Sequence, residues 1–117
     1  MVSFKKIKSF ALISVFDKSN LEFLCKLFKK YKIGIISSGS TSKKIRSLGY
    51  NCFEISKLTK FNEVLDGRVK TLHPNIYISI LHNRYKDEHK KTFNKTNFPK
   101  IDFVIVNLYP FTEYMNN

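Results

Sequence analysis

The sequence predicts one α/β domain built on a mostly parallel sheet. Three observations lead there. Short apolar runs of strand length alternate with segments of helical periodicity. A turn of small residues, Ser38-Gly39-Ser40-Thr41, joins a strand to a helix. The last run, Asp102-Phe103-Val104-Ile105-Val106-Asn107, is apolar throughout its centre, as expected of a strand buried on both faces. With 117 residues the chain has room for one core and not two, so the domain is expected to span 1–117.

Phe10-Ala11-Leu12-Ile13-Ser14-Val15 reads as the first strand. Ser19-Asn20-Leu21-Glu22 has the spacing of a capping box, and Leu21, Leu24, Phe28 and Tyr31 follow at helical spacing, which predicts a helix over 20–31. Lys32 to Ser37 reads as a second buried strand. The small-residue turn then leads into a short helix carrying Ile45 and Leu48 and closed by Gly49. Residues 51–55 make a third strand. Between 56 and 101 the pattern is weaker: Asp66-Gly67 marks a turn, 74–81 suits a helix, and 87–94 is a polar helix or loop.

The formal net charge is +12, which raises nucleic-acid binding as a candidate function. Eighteen of the 21 basic residues are lysine and they are scattered along the chain, so a compositional drift explains them better than guanidinium contacts to phosphates or bases. No specific nucleic-acid partner is expected. A positive field still favours an anionic small-molecule substrate. No apolar run is long enough to span a membrane, and the first eight residues lack the apolar core of a signal peptide. A cytosolic protein with no membrane partner is therefore expected, with Cys25 and Cys52 as core-packed free thiols in a helix and a strand.

In open α/β sheets, ligands bind at the carboxyl ends of the strands. Three ends converge here: 14–18, 37–41 and 107–111. The Ser/Gly/Thr turn is open to two readings, a plain helix N-cap or a phosphate cradle of free N–H groups.

Several segments then carry a family resemblance. Asp66-Gly67-Arg68-Val69-Lys70-Thr71-Leu72-His73-Pro74 and Val106-Asn107-Leu108-Tyr109-Pro110-Phe111 resemble signature segments of IMP cyclohydrolase, which in most organisms is the front half of a bifunctional purine-synthesis enzyme whose other half is a formyltransferase. Leu12 to Lys18 resembles the family's L-x-S-V-S-D-K, Ser38 to Thr41 its S/T-G-G-T turn, and Ser56 to Glu63 its S-x-x-T-G-F-P-E. The similarity runs from about Phe10 to Phe111.

The resemblance implies a methylglyoxal-synthase-like fold, a three-layer α/β sandwich around a parallel sheet. It implies ring closure of a formylated aminoimidazole carboxamide ribotide to IMP with loss of water, without metal or redox cofactor. It implies a homodimer in the full-length enzyme. Lys70 matches the family lysine beside the reacting groups, where a cation stabilises charge on the amide or formyl oxygen. Tyr109 matches a tyrosine at the reaction centre; a buried aromatic near a strand end is its alternative. Asn107 matches a substrate-contacting asparagine. Ser14, Lys18, Ser38, Gly39, Ser40, Thr41, Arg68 and Thr71 match nucleotide-binding positions, with a structural ion pair the alternative for Arg68. His73 is expected to hold its loop.

The sequence also departs from the family pattern. Phe16 stands where a serine is usual, removing a hydroxyl. Ser40 replaces the second glycine of the turn, a change expected to strain the loop or close it. Lys60 and Asn62 replace glycine and proline, and Ile78 and Ser79 replace two glycines. Family cyclohydrolases continue beyond the counterpart of Phe111 with an I-D-I-G-G segment and a later lysine that supply an aspartate and an acid/base group. The expectation is therefore a fragment of a longer enzyme, or a truncated product with weak or no turnover. Two relatives of the same fold, methylglyoxal synthase and the effector domain of carbamoyl-phosphate synthetase, lack the Lys70 motif joined to Asn107-Leu108-Tyr109-Pro110. A non-catalytic anion-binding domain or degenerate remnant, and less so a basic nucleic-acid-binding module, are the alternatives.

Overall fold

The computed structural model describes residues 6–60 and 73–107. Over these residues the elements run β1 (Phe10–Ser14), α1 (Leu21–Lys30), β2 (Gly34–Ser37), α2 (Gly39–Ser47), β3 (Phe53–Glu54), α3 (Ile55–Thr59), α4 (Pro74–Leu81), α5 (Asp87–Thr96) and β4 (Ile101–Val106). The strands form a four-stranded sheet of order β3-β2-β1-β4 in which every pairing is parallel. The fold is the expected α/β sandwich. The turn expected at Asp66-Gly67 lies outside the described residues.

Alternation along β1 builds two cores. Phe10 and Leu12 pack with Ile36, Ile55 of α3, Ile76 of α4, Phe98 and Ile101 on one face. Ala11 and Ile13 pack with Ile35, Leu21, Cys25 and Phe28 of α1, and Ile45 of α2 on the other. Successive strand residues point to opposite faces, so a central strand needs apolar residues on both, and β1 has them from Phe10 to Ile13. Gly34 lies beneath the Phe10 ring: a Cβ there would come within 2.5 Å of the ring edge.

The last strand departs from expectation. Instead of being covered on both faces, β4 leaves Phe103 42%, Val104 45% and Val106 60% exposed. The reason is position: among the described residues β4 is an edge strand, paired with β1 alone. The third strand is also shorter than expected, at two residues, and Cys52 lies just before it. Both cysteines are free. Burial pushes the Cys52 thiol up to about 11, against a weaker opposing hydrogen bond with Ser42. It is therefore a neutral, unreactive thiol at physiological pH.

Helix α1 begins differently from the capping-box expectation. Asn20 is its N-cap and no side chain caps it. The Asp17 carboxylate instead accepts from the backbone N–H of Ser19 at 2.9 Å, an Asx turn before the helix. This bond and one with the Ser19 hydroxyl hold the Asp17 carboxyl below its ordinary range. The weakly patterned middle folds as helices. Pro74 opens α4, where a missing N–H costs nothing, and His73 Nδ1 accepts from Asn75 N. Helix α5 buries no residue fully; Phe93 stacks on His82 with ring centroids 4.3 Å apart. Among the described residues no helix is long and apolar enough to cross a membrane.

The amino end of β4 is clamped to α4. The Ser79 hydroxyl, fully buried, donates to Pro99 O at 2.6 Å and accepts from Ile101 N at 2.8 Å. Arg84 donates to Ile101 O and to Asp102. Asp102 sits in a register shift between β1 and β4, where Phe10 pairs with Ile101 but Ala11 with Phe103. The serine at 79 thus occupies a close approach productively.

Two stability outcomes follow. Ser79→Ala removes both bonds and leaves a buried N–H and C=O unpaired, so it is expected to cost about 1–3 kcal/mol in urea unfolding. Lys60 is the C-cap of α3 with φ +60°, a left-handed conformation that suits glycine. Lys60→Gly is expected to stabilise the chain by about 0.5–1 kcal/mol in the same assay. A loss of stability on that substitution would show that the lysine stem is held by packing.

Candidate functional site

The strand order places a crevice. From β1 the chain moves outward to β2 and β3, then returns past β1 to form β4 on its other side. The order reverses between β1 and β4, so the helices on the two faces diverge at the carboxyl ends of these strands. A cleft of about 290 Å³ opens there, lined by Ser14, Val15, Phe16, Lys18, Ser40, Thr41 and Asn107. A recess of about 170 Å³ adjoins it beside α1, also touching Val15 and Asn107.

Each wall comes from a different element. Ser14 ends β1, and residues 15–18 form the loop into α1. Ser38 is the N-cap of α2 with extended backbone. The left-handed residue of the small turn is Gly39, at φ +57°, and Ser40 has no positive φ. The strain expected from serine in place of the second glycine therefore does not arise, because the unusual backbone falls on the glycine that remains. The first intrahelical bond of α2 runs from Ser42 N to Ser38 O. The N–H groups of Gly39, Ser40 and Thr41 precede it and carry the positive end of the helix dipole. Phe16, 40% exposed, adds an aromatic ring to the wall where the resemblance has a hydroxyl.

Much of the polar chemistry is turned onto the 15–17 loop. The Thr41 hydroxyl, buried, donates to Val15 O at 3.1 Å and accepts from Val15 N at 3.4 Å. Lys18 Nζ donates to Val15 O at 2.9 Å and Phe16 O at 3.3 Å, which leaves one of its three N–H donors. Asn107 Oδ1 accepts from Phe16 N at 2.6 Å and Asp17 N at 3.3 Å, and its Nδ2 donates to Asp17 O at 3.0 Å. Both lone-pair directions of the asparagine carbonyl are thereby used.

Of the residues singled out in the sequence, Ser14, Lys18, Ser40, Thr41 and Asn107 line one cleft, and Ser38 and Gly39 form the turn beside it. Arg68, Lys70, Thr71 and Tyr109 lie outside the described residues. The part that sequence reading overlooked is the main chain of Val15 and Phe16, on which Lys18, Thr41 and Asn107 converge. Its only sequence signal is its place between a strand end and Lys18. Among the described residues there is no cluster of three or more His, Cys, Asp or Glu that could hold a metal. The lysines are spread over both outer layers, with Lys26, Lys29, Lys30, Lys43 and Lys44 on α1 and α2, and Lys57, Lys90, Lys91 and Lys95 on α3 and α5.

Comparison with known proteins agrees with this fold. The bifunctional purine biosynthesis protein PurH of Fusobacterium nucleatum subsp. nucleatum is 50% identical over 103 residues, which are 88% of this chain and 20% of that protein. PurH of Clostridium perfringens (strain SM101 / Type A) is 49% identical over 107 residues, 92% of this chain and 21% of its own length. The chain thus spans about a fifth of the length of these relatives. The crystal structure of ForH superposes with a TM-score of 0.76 at 27% identity, covering 86% of this chain and 53% of that one. The family described as MGS-like domain matches residues 20–116, most of the sequence. The chain belongs to the MGS-like domain family.

Proposed function

We propose that this chain is the nucleotide-binding part of an IMP cyclohydrolase domain within a bifunctional purine-biosynthesis enzyme. The observation that carries this reading is the identity of about one half to bifunctional purine biosynthesis proteins over 88–92% of the chain. The cleft at the β1/β4 switch point supports it, because its remaining donors suit a phosphate: the free N–H groups opening α2, the last N–H of Lys18, and the hydroxyls of Ser14 and Ser40. The spread of lysines over both layers argues against a single nucleic-acid face.

In the proposed reaction an amide nitrogen of the formylated aminoimidazole carboxamide ribotide attacks the formyl carbon. A C–N bond forms, the amide nitrogen loses one proton and the formamide nitrogen the other, and the formyl oxygen departs with both as water as the ring C=N bond forms. Ser14, Lys18, Ser38, Gly39, Ser40, Thr41, Arg68 and Thr71 hold the ribotide. Lys70 stabilises charge on the reacting oxygen, and Tyr109 donates a hydrogen bond to it. No metal or redox cofactor enters. The reading carries with it a cytosolic setting and a homodimer in the longer enzyme. Proton removal and delivery are assigned to groups in the rest of such an enzyme.

Calorimetry with IMP tests the binding half. The chain is expected to bind IMP, and Arg68→Ala to weaken binding by about 1.5–3 kcal/mol through loss of charge-assisted bonds. No binding at millimolar IMP overturns the nucleotide reading. The catalytic half is tested by following IMP formation from the formylated ribotide. This chain alone is expected to give little turnover, since each positioned acid/base group contributes about 10²–10⁴-fold. Fusion to the following region of a PurH relative is expected to restore activity. Robust turnover by the 117 residues alone would place the proton-transfer groups within them.

A further inference from the structure

Asn107 and Lys18 grip the same two peptide groups from opposite sides. The peptide joining Val15 to Phe16 has its carbonyl on Lys18 Nζ and its N–H on Asn107 Oδ1. The next one, joining Phe16 to Asp17, has its carbonyl on Lys18 Nζ and its N–H on Asn107 Oδ1 as well. A trans peptide is planar and points its C=O and N–H in opposite directions. Rotating either plane therefore breaks a bond to each side chain at once. Asn107 Nδ2 adds a third hold at Asp17 O, and Thr41 Oγ1 a second one at Val15 O.

We propose that Asn107 is a positioning residue for the 15–17 loop and, through its carbonyls, for the Lys18 ammonium, and that its effect on ligand binding acts through Lys18 and the loop. The family resemblance makes Asn107 a contact to the substrate. The geometry assigns its carbonyl a different task, since that oxygen already accepts two backbone N–H groups and has no lone-pair direction left for a ligand. Lys18 is a flexible four-carbon stem that loses rotamer freedom when an anion fixes it. Two carbonyls held in place pre-order it, and those carbonyls stay in place because their peptides are anchored by N–H bonds to the end of β4. The device links the last strand to the first loop across the β1/β4 crevice.

The ligand side of this inference rests on the phosphate reading of the cleft, and the loop side does not, so the test has two parts. In the free chain, amide exchange by NMR is expected to show Phe16 and Asp17 protected. Asn107→Ala is expected to speed exchange at both about tenfold, the equilibrium expected when a bond of modest net strength is lost. Asn107→Asp keeps the acceptor but sets a carboxylate oxygen against Asp17 O, and is expected to hold exchange at Phe16 and Asp17 slower than Asn107→Ala does. If Asn107→Ala fails to fold, Asn107→Ser serves in its place, since its shorter hydroxyl cannot span both amides. Unchanged exchange at Phe16 and Asp17 overturns the proposal whatever the chain binds.

The second part uses ribose 5-phosphate and IMP as probes by calorimetry. Asn107→Ala is expected to weaken both by the same factor, and to add less than about twofold in a Lys18→Met background, because the two residues act as one unit. A loss confined to IMP would identify Asn107 as a contact to the base. Full additivity with Lys18→Met would show that it does not work through Lys18. Either result overturns the proposal. If the unmodified chain binds neither probe, the phosphate reading fails, and the exchange measurement still decides whether Asn107 sets the loop.

Discussion

The parallel seam between β1 and β4 is the constraint on which the rest depends. Strands far apart in sequence meet there, with Ile13 beside Ile105 and Ser14 beside Val106. The chain reaches β4 through α3, α4 and α5, and the seam closes the crossover that lays α3 and α4 over the face carrying Phe10, Leu12 and Ile36. Each end of the seam is fastened by side chains. At the amino end Ser79 and Arg84 tie β4 to α4, and the Ser9 hydroxyl donates to Asp102. At the carboxyl end Asn107 ties β4 to the loop that follows β1. The amino-end bonds set the register, and the carboxyl-end bonds shape the cleft.

This division explains which departures from the family pattern the structure absorbs. Serine at 79 stands where the resemblance has a glycine, and its hydroxyl bridges two backbone groups, Pro99 O and Ile101 N. Serine at 40 replaces a glycine whose backbone is ordinary, because Gly39 takes the positive φ. Lysine at 60 replaces a glycine whose backbone is left-handed, so the strain stays in the chain, at an exposed helix end where it is tolerated. Phe16 changes the wall of the cleft, while the loop is held through main-chain groups at 16 that a serine there would equally provide.

The elements that were legible in the sequence are those set by periodicity and small-residue turns. β1, α1, β2, α2 and α4 fall where apolar spacing and Pro74 put them, and the three strand ends meet as the topology rule requires. Other features came from tertiary context. The exposure of Val104 and Val106 depends on which side of the sheet β4 joins, and a run of apolar residues reads alike at an edge or a centre. The capping box failed because Asp17 offers a nearer acceptor, two residues before Ser19, than Glu22 does. The commitments of Thr41 and Asn107 were illegible for a simpler reason: a polar side chain at a strand end looks the same whether it faces a ligand or the adjoining loop.

Those commitments also bear on what kind of anion the proposed phosphate site would take. Thr41 is spent on Val15, Asn107 on Phe16 and Asp17, and Lys18 keeps one donor. Half of the donors left over are backbone N–H groups at the start of α2, which are fixed in direction and carry only partial charge. A site of this kind gains little from long-range attraction and much from the fit of a compact tetrahedral group against a rigid turn. The +12 charge of the chain then acts at a distance, raising the local concentration of anions without selecting among them. In the proposed site, selection falls to the short-range geometry of the turn, and the loop opposite it is pinned by Thr41 of α2, by Asn107 at the end of β4 and by the loop's own Lys18.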